Sequence, residues 1–352
     1  MRIISAALCG PLLALVLIGC GGGGGSSGAA PAPAPPASGG GGNTSPGSLQ
    51  DTVDRAVARG VDGAILTVLA ADGTLTTRTA GVRQRGLATP MEADDIFKMA
   101  SVSKLYIAVA VVQLVDGGML GLDDSIAQHL PAIGARIANA SAITVRMLLR
   151  HRSGVPDFDS QQGFTWAASH PDVDQVLEYA LDLPADFPPD AREEYSNTNY
   201  LLLAKIMDVV LGYSHHQQIQ DFILNPLGLT DTFHLPGQAD DARVIHGYWD
   251  GRDTREFTYV VPGGSMYGTG ADIATFVDAL GRGTLLNAEA QQTYRSVYWL
   301  GHTGWLPGYQ TYARWEGALD AAVVLHINNT GGLSETIIED TYNDVLDVLA
   351  NR

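Results

Sequence analysis

A serine and a lysine three residues apart are the first feature of this sequence that could perform chemistry. Ser101 and Lys104 lie in the segment Ala-Ser-Val-Ser-Lys. In a helix their side chains would project from one face about a turn apart, so that the amine could take the hydroxyl proton. The chain contains three lysines, so a chance Ser-x-x-Lys match is expected roughly 0.2 times. The spacing therefore indicates a serine nucleophile with a lysine base.

The segment that follows this pair predicts the helix that positions it. Residues 105–115 are apolar on every side except Gln113, and a double glycine follows at Gly117 and Gly118. This pattern is typical of a buried helix with a glycine stop. A serine in the first turn of such a helix lies at the positive end of the helix dipole, where developing negative charge is stabilised.

Two further motifs place polar side chains beside apolar elements. Tyr195-Ser196-Asn197 immediately precedes an apolar helix predicted over 200–210. His302-Thr303-Gly304 stands before two β-like runs, at 310–315 and 321–327. Each motif is weak alone, and together they contain a phenol, an amide and an imidazole.

The pattern of elements predicts the fold class. Two β-rich runs over 63–81 are joined by an Asp-Gly turn at Asp72, and an amphipathic helix is predicted over 334–349. Strands at both ends of the chain, with helices between them, indicate an α/β (α+β) fold. We expect a central, mainly antiparallel sheet built from both chain ends and flanked by helices. A mostly helical lobe would be inserted at about 101–254 in a domain over 48–352.

The N-terminal residues predict export. Arg2 and the apolar run after it are typical of a secretory signal over 1–19, and this signal ends in Leu-Ile-Gly before Cys20. That tetrapeptide resembles a bacterial lipobox, which predicts lipid attachment at Cys20; the alternative is an ordinary signal peptide with a stray cysteine. Residues 20–47 are rich in Gly, Pro, Ala and Ser, as expected of a flexible tether.

These features together predict an exported lipoprotein that is held to a membrane only through its N-terminal lipid. It would lie on the periplasmic side, and the glycines after Cys20, in place of an aspartate, resemble outer-membrane sorting. More than one acyl chain gives stable anchoring where a single chain does not.

Composition excludes several other classes of function. The formal net charge is −17, with 21 basic and 38 acidic residues, which argues against nucleic acid as a partner. Cys9 and Cys20 are the two cysteines, so the predicted domain has no disulfide and no thiolate ligand. His215 and His216 could form half of a metal site, but no third ligand has suitable spacing. We therefore expect a solvated face there, and neither a metal nor a cofactor.

The three motifs in this order resemble the penicillin-recognising serine hydrolases, which include class C β-lactamases, DD-carboxypeptidases and family VIII esterases. The resemblance extends over about 63–329 and includes the segments 148–154 and 225–232. It implies a β-lactamase/transpeptidase-like fold in which Ser101 forms an acyl-enzyme. Lys104 and Tyr195 would share the roles of base and acid. A dry pocket or a second cation would lower the pKa of Lys104, and neighbouring cations would lower that of Tyr195.

The resemblance also implies substrate contacts. The backbone N–H groups of Ser101 and Trp305 would hold the oxyanion, and Asn197 would bind the substrate amide. The third motif, His302-Thr303-Gly304, would face the carboxylate end of the substrate. This chain departs from the family pattern in two places: His302 stands where many members have lysine, and Trp305 stands where a small residue is usual.

These implications favour a D-alanyl-D-alanine carboxypeptidase-like or penicillin-binding enzyme of the cell envelope. Its partner would be a small-molecule or peptide substrate, such as a peptidoglycan stem peptide or a β-lactam. A β-lactamase or carboxylesterase on the same scaffold is the first alternative. A catalytically silent binding lipoprotein is the second, because His302 and Trp305 alter the third motif.

Overall fold

The structure is a computed structural model that describes residues 46–351. The predicted signal segment 1–19, the lipid attachment at Cys20 and nearly all of the tether 20–47 lie outside the described residues. These three predictions are therefore untested.

The largest sheet joins strands from the two ends of the described chain. In chain order the strands are β1 (Gly63–Leu69), β2 (Leu75–Gly81), β3 (Phe97–Lys98), β4 (Thr232–Phe233), β5 (Tyr248–Trp249), β6 (Arg252–Asp253), β7 (Tyr267–Gly268), β8 (Gly301–Leu306), β9 (Tyr309–Glu316), β10 (Ala321–Ile327) and β11 (Asn329–Thr330). Five of them form the order β2-β1-β10-β9-β8, and every neighbouring pair is antiparallel. The predicted mainly antiparallel sheet is confirmed.

The central strands β1 and β10 are apolar on both faces because the sheet is covered on both sides. Six of the seven residues of β1 and all seven of β10 are buried. In β1, Ala64 pairs with Ile327 and Leu69 pairs with Ala322. The Asp72-Gly73 turn joins β1 to β2 as the sequence predicts, with Gly73 at a φ of 81°.

The helices in the described residues are α1 (Leu49–Ala58), α2 (Ser103–Asp116), α3 (Ile126–His129), α4 (Pro131–Gly134), α5 (Val145–Leu149), α6 (Val173–Glu178), α7 (Thr198–Leu211), α8 (His215–Ile219), α9 (Asn225–Leu227), α10 (Gly270–Arg282), α11 (Ala288–Val297) and α12 (Ser334–Ala350). Of these helices, α1 precedes β1 in the sequence, α12 follows β11, and the others lie between β3 and β8. A π-helical turn, Gln220–Leu224, joins α8 to α9. Thr269 caps α10 through its hydroxyl, which accepts a hydrogen bond from the Asp272 amide.

Two hydrophobic cores cover the two faces of the sheet. The smaller core packs α1 and α12 against one face. The larger core packs α2, α7, α10 and α11 on the other side. Eleven of the 14 residues of α2 are buried, which confirms the fully buried helix that its sequence predicts. Among the described residues, no helix is both long and apolar enough to cross a bilayer.

Candidate active site

The turn between β3 and α2 holds Ser101 in a fixed orientation. Ser101 lies in a three-residue 3-10 turn, Ala100–Val102, and Ala100 has a φ of 52°, a left-handed conformation that is uncommon for a residue with a Cβ. The Ser103 hydroxyl donates to Ala100 O at 2.6 Å and accepts from the Met266 amide at 3.2 Å. Ser101 therefore precedes α2, which begins at Ser103, and does not lie in the first turn of that helix as the sequence predicts.

The Ser101 hydroxyl oxygen accepts hydrogen bonds from two groups. Lys104 Nζ lies 3.1 Å from it and the Tyr195 hydroxyl lies 2.9 Å from it. Lys104 Nζ also donates to Asn197 Oδ1 at 2.9 Å and to Gly263 O at 3.1 Å. A neutral amine that keeps the last two bonds can therefore direct its lone pair at the serine.

Burial gives Lys104 a pKa suited to a base. The residue is 1% exposed, and this loss of solvation lowers its pKa to about 7, although the charges of Asp157 and Asp159 oppose the shift. A large fraction of the amine is therefore neutral near pH 7. The lowered lysine pKa is as expected, and its cause is the dry site and not a second cation.

The expectation of a lowered pKa for Tyr195 is wrong. Desolvation raises this pKa, the hydrogen bond with Ser101 lowers it, and the charges of Asp157 and Asp159 raise it further. The residue is 44% exposed, which weakens the desolvation, but the two carboxylates act in the same direction. Tyr195 is therefore a protonated phenol that donates to Ser101.

Two aspartates that the sequence reading did not select surround Asn197. Its side-chain Nδ2 donates to Asp157 Oδ2 at 3.1 Å and to Asp159 Oδ2 at 3.2 Å, and its backbone amide donates to Asp157 at 2.9 Å. Desolvation and the Asp159 charge raise the pKa of Asp157 to about 6, and desolvation also raises that of Asp159. Their only signal in the sequence is a pair of carboxylates two residues apart in a loop.

A buried histidine supports the Tyr195 ring. His151 is 1% exposed, and its ring stacks on that of Tyr195 with centroids 4.5 Å apart. Its Nδ1 accepts from the Ser196 amide at 3.2 Å. Burial, and then the charges of Lys104 and His302, lower the pKa of His151 to about 3, so the ring is neutral. The sequence carries no signal for this contact.

Strand β8 lies directly against the Ala100–Val102 turn, which we call the nucleophile turn after the predicted role of Ser101. A Cβ added to Gly304 would meet Met99 O at a distance that no real contact has, and it would lie 3.3 Å from Ser101 N. Only glycine therefore lets the strand approach this closely. The next residue, Trp305, pairs with Gln310 of β9. This placement is compatible with the predicted oxyanion donors, the amides of Ser101 and Trp305.

His302 carries no positive charge at neutral pH. Its ring lies 6.0 Å from that of Tyr195 and stacks on Tyr298 at 6.1 Å. Desolvation and the charge of Lys104 lower its pKa to about 3. The third motif therefore presents neutral polar groups to a substrate.

A cavity of about 430 Å³ opens above these groups. Seven of the predicted site residues line it: Ser101, Tyr195, Asn197, His302, Thr303, Gly304 and Trp305. Lys104 lies beneath Ser101. Trp305 is 38% exposed, and its indole donates to Glu335 Oε1 at 3.2 Å. The tryptophan therefore forms part of the cavity wall.

The histidine pair His215-His216 does not form the solvated face that was expected. His215 is 6% exposed and its Nδ1 lies 2.8 Å from Asp208 Oδ1. The ring of His216 stacks on His234 with centroids 5.0 Å apart, a contact across 18 residues of sequence that spacing does not reveal. Within residues 46–351, no group of three or more His, Cys, Asp or Glu side chains could hold a metal ion.

Comparison with known proteins identifies relatives of this chain. The profile of the family described as Beta-lactamase matches residues 49–298. Over 188 residues the chain is 36% identical to penicillin-binding protein 4 of Amycolatopsis lactamdurans, across 52% of this chain and 48% of that protein. Over 245 residues it is 26% identical to the D-alanyl-D-alanine-carboxypeptidase/endopeptidase AmpH of Escherichia coli (strain K12), across 65% and 61% of the two proteins. The chain thus matches about half to three fifths of the length of these relatives.

A solved structure matches a larger share of the chain. D-amino acid amidase from Ochrobactrum anthropi SV3, complexed with D-phenylalanine, superposes with a TM-score of 0.77 at 25% identity. The superposition covers 86% of this chain and 98% of the amidase. The fold is therefore shared with a protein whose named activity differs from those of the sequence relatives.

Proposed function

Since this chain belongs to the β-lactamase family, we propose that it is a serine hydrolase that forms an acyl-enzyme on Ser101. We propose further that it acts as a D-alanyl-D-alanine carboxypeptidase-like or penicillin-binding enzyme of the cell envelope. The observation that carries the proposal is the pair of hydrogen bonds to Ser101 Oγ, from Lys104 Nζ at 3.1 Å and from the Tyr195 hydroxyl at 2.9 Å. A nucleophile within reach of both a base and an acid is what acyl transfer requires.

In the proposed acylation, neutral Lys104 takes the Ser101 proton while Oγ attacks the carbonyl carbon. The negative charge that develops on the carbonyl oxygen is stabilised by the amides of Ser101 and Trp305. The bond to the leaving group then breaks, and Tyr195 donates its phenolic proton to the departing nitrogen. Lys104 returns its proton to Tyr195, so the enzyme regains its original protonation state.

The proposed deacylation reverses these roles with water as the nucleophile. Neutral Lys104 takes a proton from water, the hydroxide adds to the acyl carbon, and Ser101 Oγ leaves with the proton that Lys104 returns. The product is a carboxylic acid, and the free hydroxyl is restored. The rate of this step distinguishes a penicillin-binding enzyme, in which the adduct persists, from a β-lactamase, in which it does not.

The test is the intact mass of the full-length protein, purified in detergent and mixed with benzylpenicillin, followed over time. The proposal expects a persistent adduct of one drug molecule, because the β-lactam ring opens onto Ser101 without losing atoms. Ser101→Ala is the matched control and should form no adduct. An adduct that survives in Ser101→Ala would refute the assigned nucleophile, and rapid drug hydrolysis without an adduct would refute the penicillin-binding assignment.

Carboxylesterase activity is the second candidate, because one observation favours it. His302 is neutral at pH 7, so the third motif offers no cation to a substrate carboxylate. Hydrolysis of p-nitrophenyl acetate in the absence of any benzylpenicillin adduct would favour the esterase. The catalytically silent lipoprotein would require that both reactions are absent in a folded protein.

We also propose that Cys20 is acylated and that residues 20–47 tether the domain to the membrane. Only the sequence pattern supports this proposal. Incorporation of radiolabelled palmitate, and its loss in Cys20→Ser, is the expected result. Unchanged membrane fractionation of Cys20→Ser would contradict it.

A further inference from the structure

The Asn197 side chain connects Lys104 to a pair of carboxylates that take no part in the proposed proton transfers. Its Oδ1 accepts a hydrogen bond from Lys104 Nζ at 2.9 Å. Its Nδ2 donates to Asp157 Oδ2 at 3.1 Å and to Asp159 Oδ2 at 3.2 Å. An amide nitrogen carries two hydrogens, so both hydrogens are bonded to carboxylates, and the oxygen is bonded to the amine.

The two carboxylates determine which way this amide faces. The oxygen and the nitrogen of an amide have nearly the same shape, so packing alone does not distinguish the two orientations. In the reversed orientation the amide oxygen would face ionised carboxylates, which have no hydrogen to donate, and the NH₂ group would face Lys104. The carboxylates therefore exclude the reversed orientation and leave an acceptor for the amine.

Asp157 holds Asn197 at two points. Its Oδ2 accepts from the backbone amide of Asn197 at 2.9 Å as well as from the side chain. The loop around Asp157 is tied to the start of α7, because the Thr198 hydroxyl donates to Pro156 O at 2.9 Å and accepts from the Phe158 amide at 2.9 Å. Asp157 therefore fixes both the backbone and the side chain of Asn197.

The orientation of the amide matters because it decides where the lone pair of the base points. A neutral amine has two hydrogens and one lone pair. With Asn197 Oδ1 at 2.9 Å and Gly263 O at 3.1 Å as acceptors, both hydrogens are engaged. The lone pair is then left for the Ser101 hydroxyl at 3.1 Å. A reversed amide would instead offer its NH₂ group to the lone pair and compete with Ser101 for it.

We infer that Asp157 is a positioning residue for acyl transfer, which fixes the Asn197 amide so that Lys104 directs its lone pair at Ser101. This inference rests on the proposed acyl-enzyme and deepens the account of how its base is held. Asp157 acts through Asn197, because it is not among the described residues that line the cavity.

The charge of Asp157 has a second, separable effect. It raises the pKa of Lys104, in opposition to the larger effect of burial. Loss of this charge should therefore lower the pKa of Lys104 and move the midpoint of the pH profile of acylation to lower pH. The other titratable groups that face Lys104 are Asp159, Tyr195, His151 and His302.

The test measures the rate at which a fluorophosphonate labels Ser101 in the full-length protein between pH 5 and pH 9. Ser101 Oγ displaces fluoride from phosphorus while Lys104 takes the hydroxyl proton, so the rate reports on the base without requiring a particular substrate. Asp157→Ala removes both hydrogen bonds to Asn197 and should lower the plateau rate at high pH by about 10-fold or more. Asp157→Asn keeps an oxygen that can accept both bonds, and it should stay within about threefold of wild type. Both variants should move the midpoint to lower pH.

A double-mutant cycle separates positioning from a general structural role. In an Asn197→Ala background there is no side-chain amide to orient, so adding Asp157→Ala should lower the plateau rate by less than about threefold. An equal loss in both backgrounds would overturn the inference, as would an unchanged plateau rate in Asp157→Ala alone. If Asp157→Ala does not fold, Asp157→Ser takes its place, because its shorter hydroxyl can still cap the backbone amide of Asn197 but cannot reach the side chain.

Benzylpenicillin distinguishes failure of the inference from failure of the proposed function. If the fluorophosphonate labels Ser101 but benzylpenicillin forms no adduct, the penicillin-binding assignment fails and the double-mutant cycle still decides the role of Asp157. If neither reagent reacts with Ser101 in a folded protein, the proposed acyl-enzyme fails, and the inference fails with it.

Discussion

Replacement of Gly304 by alanine should slow acylation of Ser101 without removing any catalytic group. The added Cβ would lie 3.1 Å from the Ala100 Cβ and 3.3 Å from Ser101 N, and closer still to Met99 O. Two of these three atoms belong to the backbone, so no side-chain rotation can relieve the overlap. Since carbon atoms pack at about 3.5 Å or more, β8 must retreat by roughly 1 Å from the nucleophile turn.

A retreat of this size separates the two expected oxyanion donors. The amide of Trp305 moves with β8, whereas the amide of Ser101 stays with the helix. A misplacement of about 1 Å in an active site can cost about 10²-fold in rate, so we expect the second-order rate of benzylpenicillin adduct formation to fall by roughly that factor. Overpacking should also lower the free energy of unfolding by about 1–3 kcal/mol.

The matched control is Gly264→Ala. Gly264 lines the same cavity, but an added Cβ there would lie 3.5 Å from Val261 O, an ordinary contact distance. This variant should acylate within about threefold of wild type. The reasoning would be refuted if Gly304→Ala acylated as fast as Gly264→Ala, or if near-ultraviolet circular dichroism showed that Gly304→Ala had simply failed to fold.

Three further predictions concern the proton-transfer groups and the third motif. With neutral Lys104 as the proposed base and its pKa lowered to about 7, the acylation rate should rise about tenfold per pH unit below pH 7 and level off above it. A rate independent of pH from 5 to 9 would exclude this assignment. Tyr195→Phe should slow acylation by about 10²–10⁴-fold with unchanged circular dichroism, and an unchanged rate would remove the phenol from the mechanism. His302→Lys should increase by about tenfold the ratio of the acylation rate with benzylpenicillin to the acylation rate with its methyl ester, and an unchanged ratio would mean that this position does not contact the carboxylate. The same variant should shift the pH profile of acylation to lower pH, because a second cation lowers the pKa of Lys104.

The sequence was sufficient for elements that local pattern determines. The hairpin turn at Asp72 and the buried helix α2 each depend on neighbouring residues, and both occur in the structure. By contrast, β3, β4 and β7 are two residues long and form their own sheet, and two residues are too few to show a periodicity.

The electrostatics of the site could not be read from the sequence for a different reason. The expected pKa of Tyr195 assumed that neighbouring cations would dominate, whereas desolvation and the charges of Asp157 and Asp159 raise it. These carboxylates lie nearly 40 residues away along the chain, so only the folded arrangement brings them to Asn197. The stacking of His216 on His234 was missed for the same reason, because only the folded chain brings these two residues together.

The pairing of β1 with β10 has a consequence for the order in which this protein can fold. During synthesis β1 emerges early, and its antiparallel neighbour β10 emerges only after the helices between them have been made. Contacts so distant in sequence slow folding, and a strand that is apolar on both faces is a site for aggregation until it is paired. A ribosome-stalled chain that ends before Ala321 would therefore expose β1 and depend on chaperones, and the nucleophile turn would reach its final geometry only when the last strands close the sheet.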